Sequence, residues 1–353
     1  MQSKDNNSID KTEASRISEK IINGDRLILA RIITQIENET PLGFSVLEEI
    51  YSETGKAQLI GITGAPGTGK STLVNQLAAY YREPEDGISK SVAIVAVDPT
   101  SPFSGGAILG DRVRMRSLSG DPGVFIRSMA SRGSLGGIAA TTSAIVLALD
   151  AAGYERIIIE TVGAGQAEVD IANLAHTTIV VESPGMGDDI QAIKAGILEI
   201  ADIIVINKAD KPGADITERA LLSSLQINLK NQNDPNRYQH MNNGLIDDHS
   251  KIEYGEIRIP SVIKTVATTG EGIASLHKII EEHYTYLVNS CELSQKEKKR
   301  ISFELDVLLR DKLLSNWKRK TKKELYDEIF QKTLTRDISP WKAVDQLVDG
   351  EKR

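Results

Sequence analysis

Apolar and polar positions along this chain follow two rhythms. From about residue 57, short continuous apolar runs alternate with stretches whose apolar residues recur at helical spacing. The runs are Leu59-Ile60-Gly61-Ile62-Thr63, Ser91 to Val97, Arg156 to Ile159, Thr178 to Glu182, Ile203 to Ile206 and Val262 to Val266. The helical spacing is clearest after the first run, where Leu73, Leu77 and Tyr80 fall on one face. Strands apolar on both faces and separated by helices predict an α/β fold, a mostly parallel sheet covered by helices on both faces. Polar residues gather where these runs end: Asp98-Pro99, Glu160-Thr161 and Asn207-Lys208. The C-terminal ends of the strands are where open α/β sheets bind ligands.

The second rhythm is purely helical and occupies the two ends. Ile17, Ile21 and Ile22 form one stripe, Gly24 interrupts, and Leu27, Leu29, Ala30, Ile33 and Ile36 form the next. Pro41 and Ser45 mark the start of a third helix carrying Val46, Leu47 and Ile50. Such helices must pack on something else, either as a brace for the sheet or as an arm for a partner. Residues 228–258 break the pattern with an asparagine-rich polar stretch and read as an exposed insertion. Residues 294–334 return to an amphipathic helical pattern with Ile301, Leu305, Leu308, Leu309, Leu313, Trp317, Leu325 and Ile329. The expected organisation is therefore an N-terminal helical extension (1–56), a central domain (57–288) and a C-terminal helical extension (289–353) whose stripe suits a dimer seam.

Composition narrows the function classes. The 353 residues are 40% hydrophobic and 26% charged, enough for a large core in a soluble protein. A net charge of −7 argues against a nucleic-acid binder, so the basic residues near 298–323 read as a solvated face. One cysteine, Cys291, excludes an internal disulfide and a thiolate metal cluster. The five histidines lack metal-ligand spacing, and His277 and His283, six apart, read as solvated. No run is long enough to span a membrane, and the polar N-terminus is unlike a signal peptide, which makes the cytoplasm the expected setting.

The chemistry concentrates after the first strand. Gly64-Ala65-Pro66-Gly67-Thr68-Gly69-Lys70-Ser71, followed by Thr72 and a helix, is a phosphate-binding P-loop in its proper strand–turn–helix context. Glycines let backbone N–H groups converge on phosphate oxygens, and the helix N-terminus adds partial positive charge. Lys70 is expected to reach the β- and γ-phosphates, and the Ser71 hydroxyl to ligate Mg²⁺. Asn207-Lys208-Ala209-Asp210 follows a strand, as a guanine-reading NKxD motif should. The Asp210 carboxylate can accept from N1–H and the 2-amino group of guanine, a donor pair adenine lacks. Val266, Ala267 and Thr268 lie where a loop should offer a backbone N–H to guanine O6. Asp98, Asp111 and Glu160 are candidate Mg²⁺ acids, directly or through water; the alternative for each is a helix cap or a surface ion pair. In Glu160-Thr161-Val162-Gly163 the Gly163 N–H is placed to bind the γ-phosphate and report its loss. Gln166 either orients the attacking water or is simply a loop amide.

Further segments carry a specific resemblance. Val97 to Gly106, Ile108-Leu109-Gly110-Asp111, Arg132 to Gly137, Glu160 to Gln166 and Pro184 to Lys194 stand in the order found in the MeaB/ArgK/MMAA family, which the chain resembles over roughly residues 15–225 and 260–290. The resemblance implies a P-loop NTPase fold and a GTPase using GTP/GDP and Mg²⁺. It implies a chaperone of an adenosylcobalamin-dependent acyl-CoA mutase, chiefly methylmalonyl-CoA mutase, gating cofactor loading and protecting or reactivating the mutase. It further implies a homodimer formed through helical extensions, and a cobalamin adenosyltransferase as an additional partner. Pro184 to Lys194 matches the additional switch loop of the family, which assigns Asp188, Gln191 and Lys194 to partner-stimulated hydrolysis; Asp189 stands where the family often has Glu. The insertion at 228–258 and the C-terminal part depart from the pattern. Two rival readings are an ATP-dependent kinase linked to amino-acid transport, which Asn207 to Asp210 speak against, and a nickel-delivering GTPase, which would want a Cys/His cluster. A scaffold that only binds nucleotide is a further alternative.

Overall fold

The computed structural model describes residues 3–85, 87–99, 118, 120–131, 137–161, 166–185, 199–232, 259–321 and 323–349. Three helices come first: α1 (Ser3–Ile22), α2 (Arg26–Glu37) and α3 (Pro41–Ile50). The Asp25 carboxylate caps α2 by accepting from the N–H groups of Leu27 and Ile28, and Thr40 caps α3, with Pro41 at its first position. The alternating part runs β1 (Gln58–Thr63), α4 (Lys70–Arg82), β2 (Val92–Pro99), β3 (Val124–Ser131), α5 (Gly137–Ala151), β4 (Arg156–Thr161), α6 (Gln166–Leu174), β5 (Thr177–Glu182), β6 (Ile203–Ile206), α7 (Ala214–Gln232), β7 (Ser261–Lys264) and α8 (Ile273–Asn289). Helices α9 (Glu292–Lys320), α10 (Lys323–Leu334) and α11 (Pro340–Asp349) follow.

The strands form one seven-stranded sheet in the order β3-β2-β4-β1-β5-β6-β7, parallel throughout. Alternation along each strand sends neighbours to opposite faces. Leu59 of β1 joins Val95, Ile157 and Ile159 on the face covered by α1 to α3, α5 and α6. Ile60 and Ile62 join Ile94, Ile158 and Val181 on the face covered by α4 and α8. The N-terminal helices are thus part of the core: Ile21, Leu29, Ile33, Val46 and Ile50 are fully buried in the first cluster. At about 1.5–3 kcal/mol per buried aliphatic side chain, this brace contributes substantially to stability.

One strand escapes the hydrophobic pattern. β3 pairs with β2 from Val92↔Val124 to Pro99↔Ser131, yet Arg127 and Ser128 interrupt its apolar sequence. As an edge strand it is held by α2: Arg26 donates to the carbonyls of Asp121, Pro122 and Val124, and Arg127 pairs with Glu37. Helix α7 runs on to Gln232, so the first residues of the polar stretch from 228 belong to a helix; residues 233–258 lie outside the described residues.

The histidines also differ from expectation. His283 is 2% exposed: its Nδ1 lies 2.9 Å from Thr177 Oγ1 and its Nε2 3.4 Å from Asp202 Oδ1. His277 is partly covered, its ring 5.0 Å from those of Tyr80 and Tyr81. The helical face of α8, rather than the six-residue spacing, decides their surroundings. They belong to a polar band along the N-terminal edge of the sheet. There Lys296 of α9 contacts Asp202, while His176 accepts the Leu59 N–H at Nδ1 (3.1 Å) and contacts Glu297 through Nε2 (2.9 Å). Burial raises the Asp202 carboxyl pKa, but the His283 hydrogen bond and the Lys296 charge outweigh it and leave the carboxyl below its ordinary range. Burial likewise acts upward on Glu297, yet hydrogen bonds from His176 and Arg300 bring it down to about 2.

The chain divides into two compact units, Met1–Arg300 and Ile301–Arg353. In the second, Val307, Ile329 and Ala343 are buried, Trp317 Nε1 donates to the Leu347 carbonyl (3.2 Å), and Leu305, Leu309, Leu313, Phe330 and Trp341 are exposed. No described helix is long and apolar enough to cross a membrane.

Candidate functional site

The site forms where β1, at the centre of the sheet, hands over to α4. Gly64, Gly67 and Gly69 have φ of 137°, 82° and 94°, a region that penalises a side chain. Space forbids one as well: a Cβ on Gly64 would lie 2.2 Å from the Val181 carbonyl oxygen, and one on Gly69 2.4 Å from Asn207 Nδ2. The loop is therefore pressed against β5 on one side and the turn after β6 on the other. Thr68 closes it by donating its hydroxyl to the Ala65 carbonyl (3.0 Å), while Pro66, Gly67 and Thr72 are exposed.

Lys70 opens α4 and is buried, its Nζ held by the carbonyls of Gly64 (2.8 Å) and Ala65 (2.9 Å). Ser71 donates its hydroxyl to Glu160 Oε1 at 2.6 Å. The pairing Ile62↔Glu160 explains this contact, because it sets the last residues of β4 beside the end of the P-loop strand. A hydroxyl and a carboxylate drawn together at a phosphate-binding loop are the hard oxygens that Mg²⁺ prefers, so the pair fits that ion. One step further along the strands, the Thr161 hydroxyl donates to Thr63 Oγ1 (2.9 Å) in a buried contact. Both threonines end apolar runs in the sequence, which marks their position and not their bond to each other.

The turn after β6 is fixed by Asn207. Its Nδ2 donates to the Thr68 carbonyl (2.8 Å), while its Oδ1 accepts from the Ala267 N–H (3.0 Å) and the Thr265 hydroxyl (3.2 Å). One buried amide thus ties the P-loop, the turn after β6 and the loop after β7 together. Lys208, in the left-handed region at φ 57°, reaches back to the Gly67 carbonyl. Asp210 is exposed in the same turn, and the Ala209 N–H donates to the Thr265 carbonyl (3.0 Å). Val266 and Ala267 are buried and Thr268 is exposed.

The structure therefore brings together Gly64 to Thr72, Glu160, Asn207 to Asp210 and Val266 to Thr268 at one end of the sheet. Asp98 is the second-last residue of β2, at the same end of the sheet and in register with Ala130, and Gln166 is the first residue of α6. Asp111, Gly163, Asp188, Gln191 and Lys194 lie outside the described residues.

Comparison with known proteins places this arrangement among GTPases. The family model described as methylmalonyl-CoA mutase-associated GTPase MeaB matches residues 29–322. A Pyrococcus abyssi protein bearing the name putative GTPase is 43% identical over 330 residues, 94% of each chain. The Escherichia coli GTPase ArgK is 41% identical over 191 residues, 53% of this chain and 56% of its own. The mitochondrial methylmalonic aciduria type A homolog of Caenorhabditis elegans is 33% identical over 261 residues, 69% of this chain and 64% of its own. Among solved structures, a LAO/AO transport system kinase superposes with a TM-score of 0.64 at 24% identity, covering 97% of this chain and 98% of that one. At that identity the likeness concerns the fold alone.

Proposed function

The chain belongs to the MeaB family of GTPases, and from that premise we propose that it is a nucleotide-driven switch serving an adenosylcobalamin-dependent acyl-CoA mutase, methylmalonyl-CoA mutase first among them. The observation that carries the nucleotide chemistry is the double clamp on the P-loop: Ser71 to Glu160 on the phosphate side and Asn207 to Thr68 on the base side. The mutase part is supported by the description of the family and by the name of the nematode relative.

In this mechanism the amides of the P-loop and the N-terminus of α4 bind the phosphates. Lys70 exchanges its contacts with Gly64 and Ala65 for phosphate oxygens, stabilising charge that grows on the transferring phosphoryl group. Ser71 and Glu160, with Asp98 and Asp111, would hold Mg²⁺, which would neutralise charge on the phosphates. Asp210 selects guanine by accepting from its N1–H and 2-amino group. Gly163 responds to the γ-phosphate, Gln166 orients water, and Asp188, Gln191 and Lys194 respond to the partner. No covalent intermediate is required. The exposed stripe of Leu305, Leu309 and Leu313 is covered by a second copy of the chain.

The test is GTP turnover alone and with purified mutase, with ATP as the competitor. Slow turnover raised by the mutase, lost in Lys70→Ala and unaffected by ATP is the expected result. Fast turnover indifferent to the mutase would overturn the chaperone role, and ATP preference would restore the kinase reading.

A further inference from the structure

Two fully buried hydroxyls meet beside the phosphate end of the site: Thr161 Oγ1 donates to Thr63 Oγ1 at 2.9 Å. The β1/β4 ladder ends one residue earlier, at Ile62↔Glu160, while β4 goes on pairing with β2 as far as Val97↔Thr161. Toward β2 the backbone holds residue 161; toward β1 its side chain does. The hydroxyl pair thus takes over where the backbone register between β1 and β4 stops.

Alternation puts this pair and Glu160 on opposite faces of the sheet. Thr63 follows Leu59 and Gly61 onto the face covered by α6, where a Cβ on Gly61 would lie 2.5 Å from Ile171 Cγ2. Thr161 follows Ile157 and Ile159 onto that same face. Glu160 follows Ile158 onto the other face, where its Oε1 accepts from the Ser71 hydroxyl at 2.6 Å. The threonines therefore act on Ser71 and Glu160 through the backbone. What they set is the separation between the end of β4 and the strand that leads into the P-loop.

We propose that Thr63 and Thr161 are positioning residues: their hydrogen bond sets the distance at which β4 presents Glu160 to Ser71 and to a divalent cation between them. The proposal rests on the assignment of Ser71 and Glu160 to that cation. A hydroxyl pair suits this task because it is short. The two oxygens stand 2.9 Å apart, whereas methyl groups in contact stand about 3.5–4.0 Å apart. Apolar side chains of the same shape would hold the sheet together but part the strand ends by roughly 0.6–1.1 Å. Mg²⁺ demands near-ideal octahedral geometry, so a shift of that size is felt at the ion. Groups that only orient metal ligands change metal affinity by about 10–100-fold when lost, and a pair acting through the backbone belongs at the lower end.

The experiment titrates the full chain, loaded with GDP, with Mn²⁺ as a paramagnetic substitute for Mg²⁺, reading the free ion by electron paramagnetic resonance. Thr161→Val and Thr63→Val should each weaken Mn²⁺ binding about tenfold, while Thr161→Ser, which keeps the hydroxyl, should stay within about threefold of the parent. The double variant Thr63→Val with Thr161→Val separates positioning from packing. It leaves no buried hydroxyl unpaired, so its urea midpoint should return toward that of the parent, yet its Mn²⁺ affinity should stay about tenfold down. GDP affinity without metal should change by less than about twofold throughout, because the P-loop amides and Asn207 are untouched. Single variants that bind Mn²⁺ within twofold of the parent, or a double variant whose Mn²⁺ affinity recovers along with its urea midpoint, would overturn the proposal. Glu160→Gln is the control and should lose most Mn²⁺ binding. If it does not, the metal reading itself fails and takes the proposal with it, an outcome distinct from the other two.

Discussion

Asn207 is the residue whose removal should tell most about how this site works. It is 2% exposed and makes three hydrogen bonds, to the Thr68 carbonyl, the Ala267 N–H and the Thr265 hydroxyl. Asn207→Ala deletes all of them and leaves three groups short of a partner. At a net 0.5–1.5 kcal/mol each, the loss is about 3 kcal/mol, with burial favouring the upper part of the range. Those bonds join three segments to one another, so the loss should appear mainly as misalignment of the base pocket and less as unfolding of the sheet. If all of it fell on nucleotide binding, GDP affinity would drop roughly 100-fold. Asn207→Asp is the sharper variant: it keeps Oδ1 but sets a carboxylate oxygen 2.8 Å from the Thr68 carbonyl, where a donor stood. Its GDP affinity should be no better than that of the alanine variant. Fluorescent GDP displacement measures affinity, and urea unfolding without nucleotide measures the stability share. An alanine variant that binds GDP within twofold of the parent would refute the assignment of Asn207 as the brace of the base side.

Other expectations follow from particular contacts. Ser71→Ala removes the hydroxyl bonded to Glu160 and should abolish Mg²⁺-stimulated GTP turnover; GDP binding without Mg²⁺, followed by the same displacement assay, should change little. Ile33, fully buried beneath the sheet, should cost about 2–5 kcal/mol when cut to alanine, seen as a lower midpoint in urea. The Glu297 pKa lies at about 2 against an ordinary 4.5, so its contribution is fully present above 4.5 and is lost as pH falls toward 2. Glu297→Gln should therefore flatten the acid limb of stability measured by urea titration between pH 5 and pH 2. Leu309→Glu should turn a dimer into a monomer in sedimentation if the exposed stripe is a seam between two copies.

Much of this architecture is written in residue type. β1, β4, β5 and β6 are continuous apolar runs because both faces of the sheet are covered, and that pattern is visible without coordinates. The P-loop is legible because backbone strain restricts the residues allowed there, and the structure sets Asn207 and Lys208 against it through Thr68 and Gly67. β3 is not legible, since Arg127 and Ser128 are tolerated on an edge strand that α2 braces through Glu37 and Arg26. The burial of His283 depends on Asp202 and Thr177, which are 81 and 106 positions away and meet it only across the sheet. Nor does the sequence show that the Ala267 N–H is already engaged, because that depends on which way the Asn207 amide points.

The two clamps on the P-loop also separate two kinds of defect. In the proposed function, Asn207, Lys208 and the loop from Thr265 to Thr268 serve the base side, which GTP and GDP share. Interactions with unreacting groups bind ground state and transition state alike. Weakening them should raise KM for GTP and loosen GDP in proportion, with kcat little changed. On the same proposal Ser71 and Glu160 serve the phosphate end, where charge redistributes during hydrolysis, so their loss should lower kcat. The same division bears on coupling to a partner. A mutase that acted through the base side would shift GTP and GDP affinity together, and could not by itself make hydrolysis a signal, because a ligand held equally in two states shifts neither. Stimulation should therefore appear in kcat and persist in Asn207→Ala at saturating GTP, while Ser71→Ala should lose it.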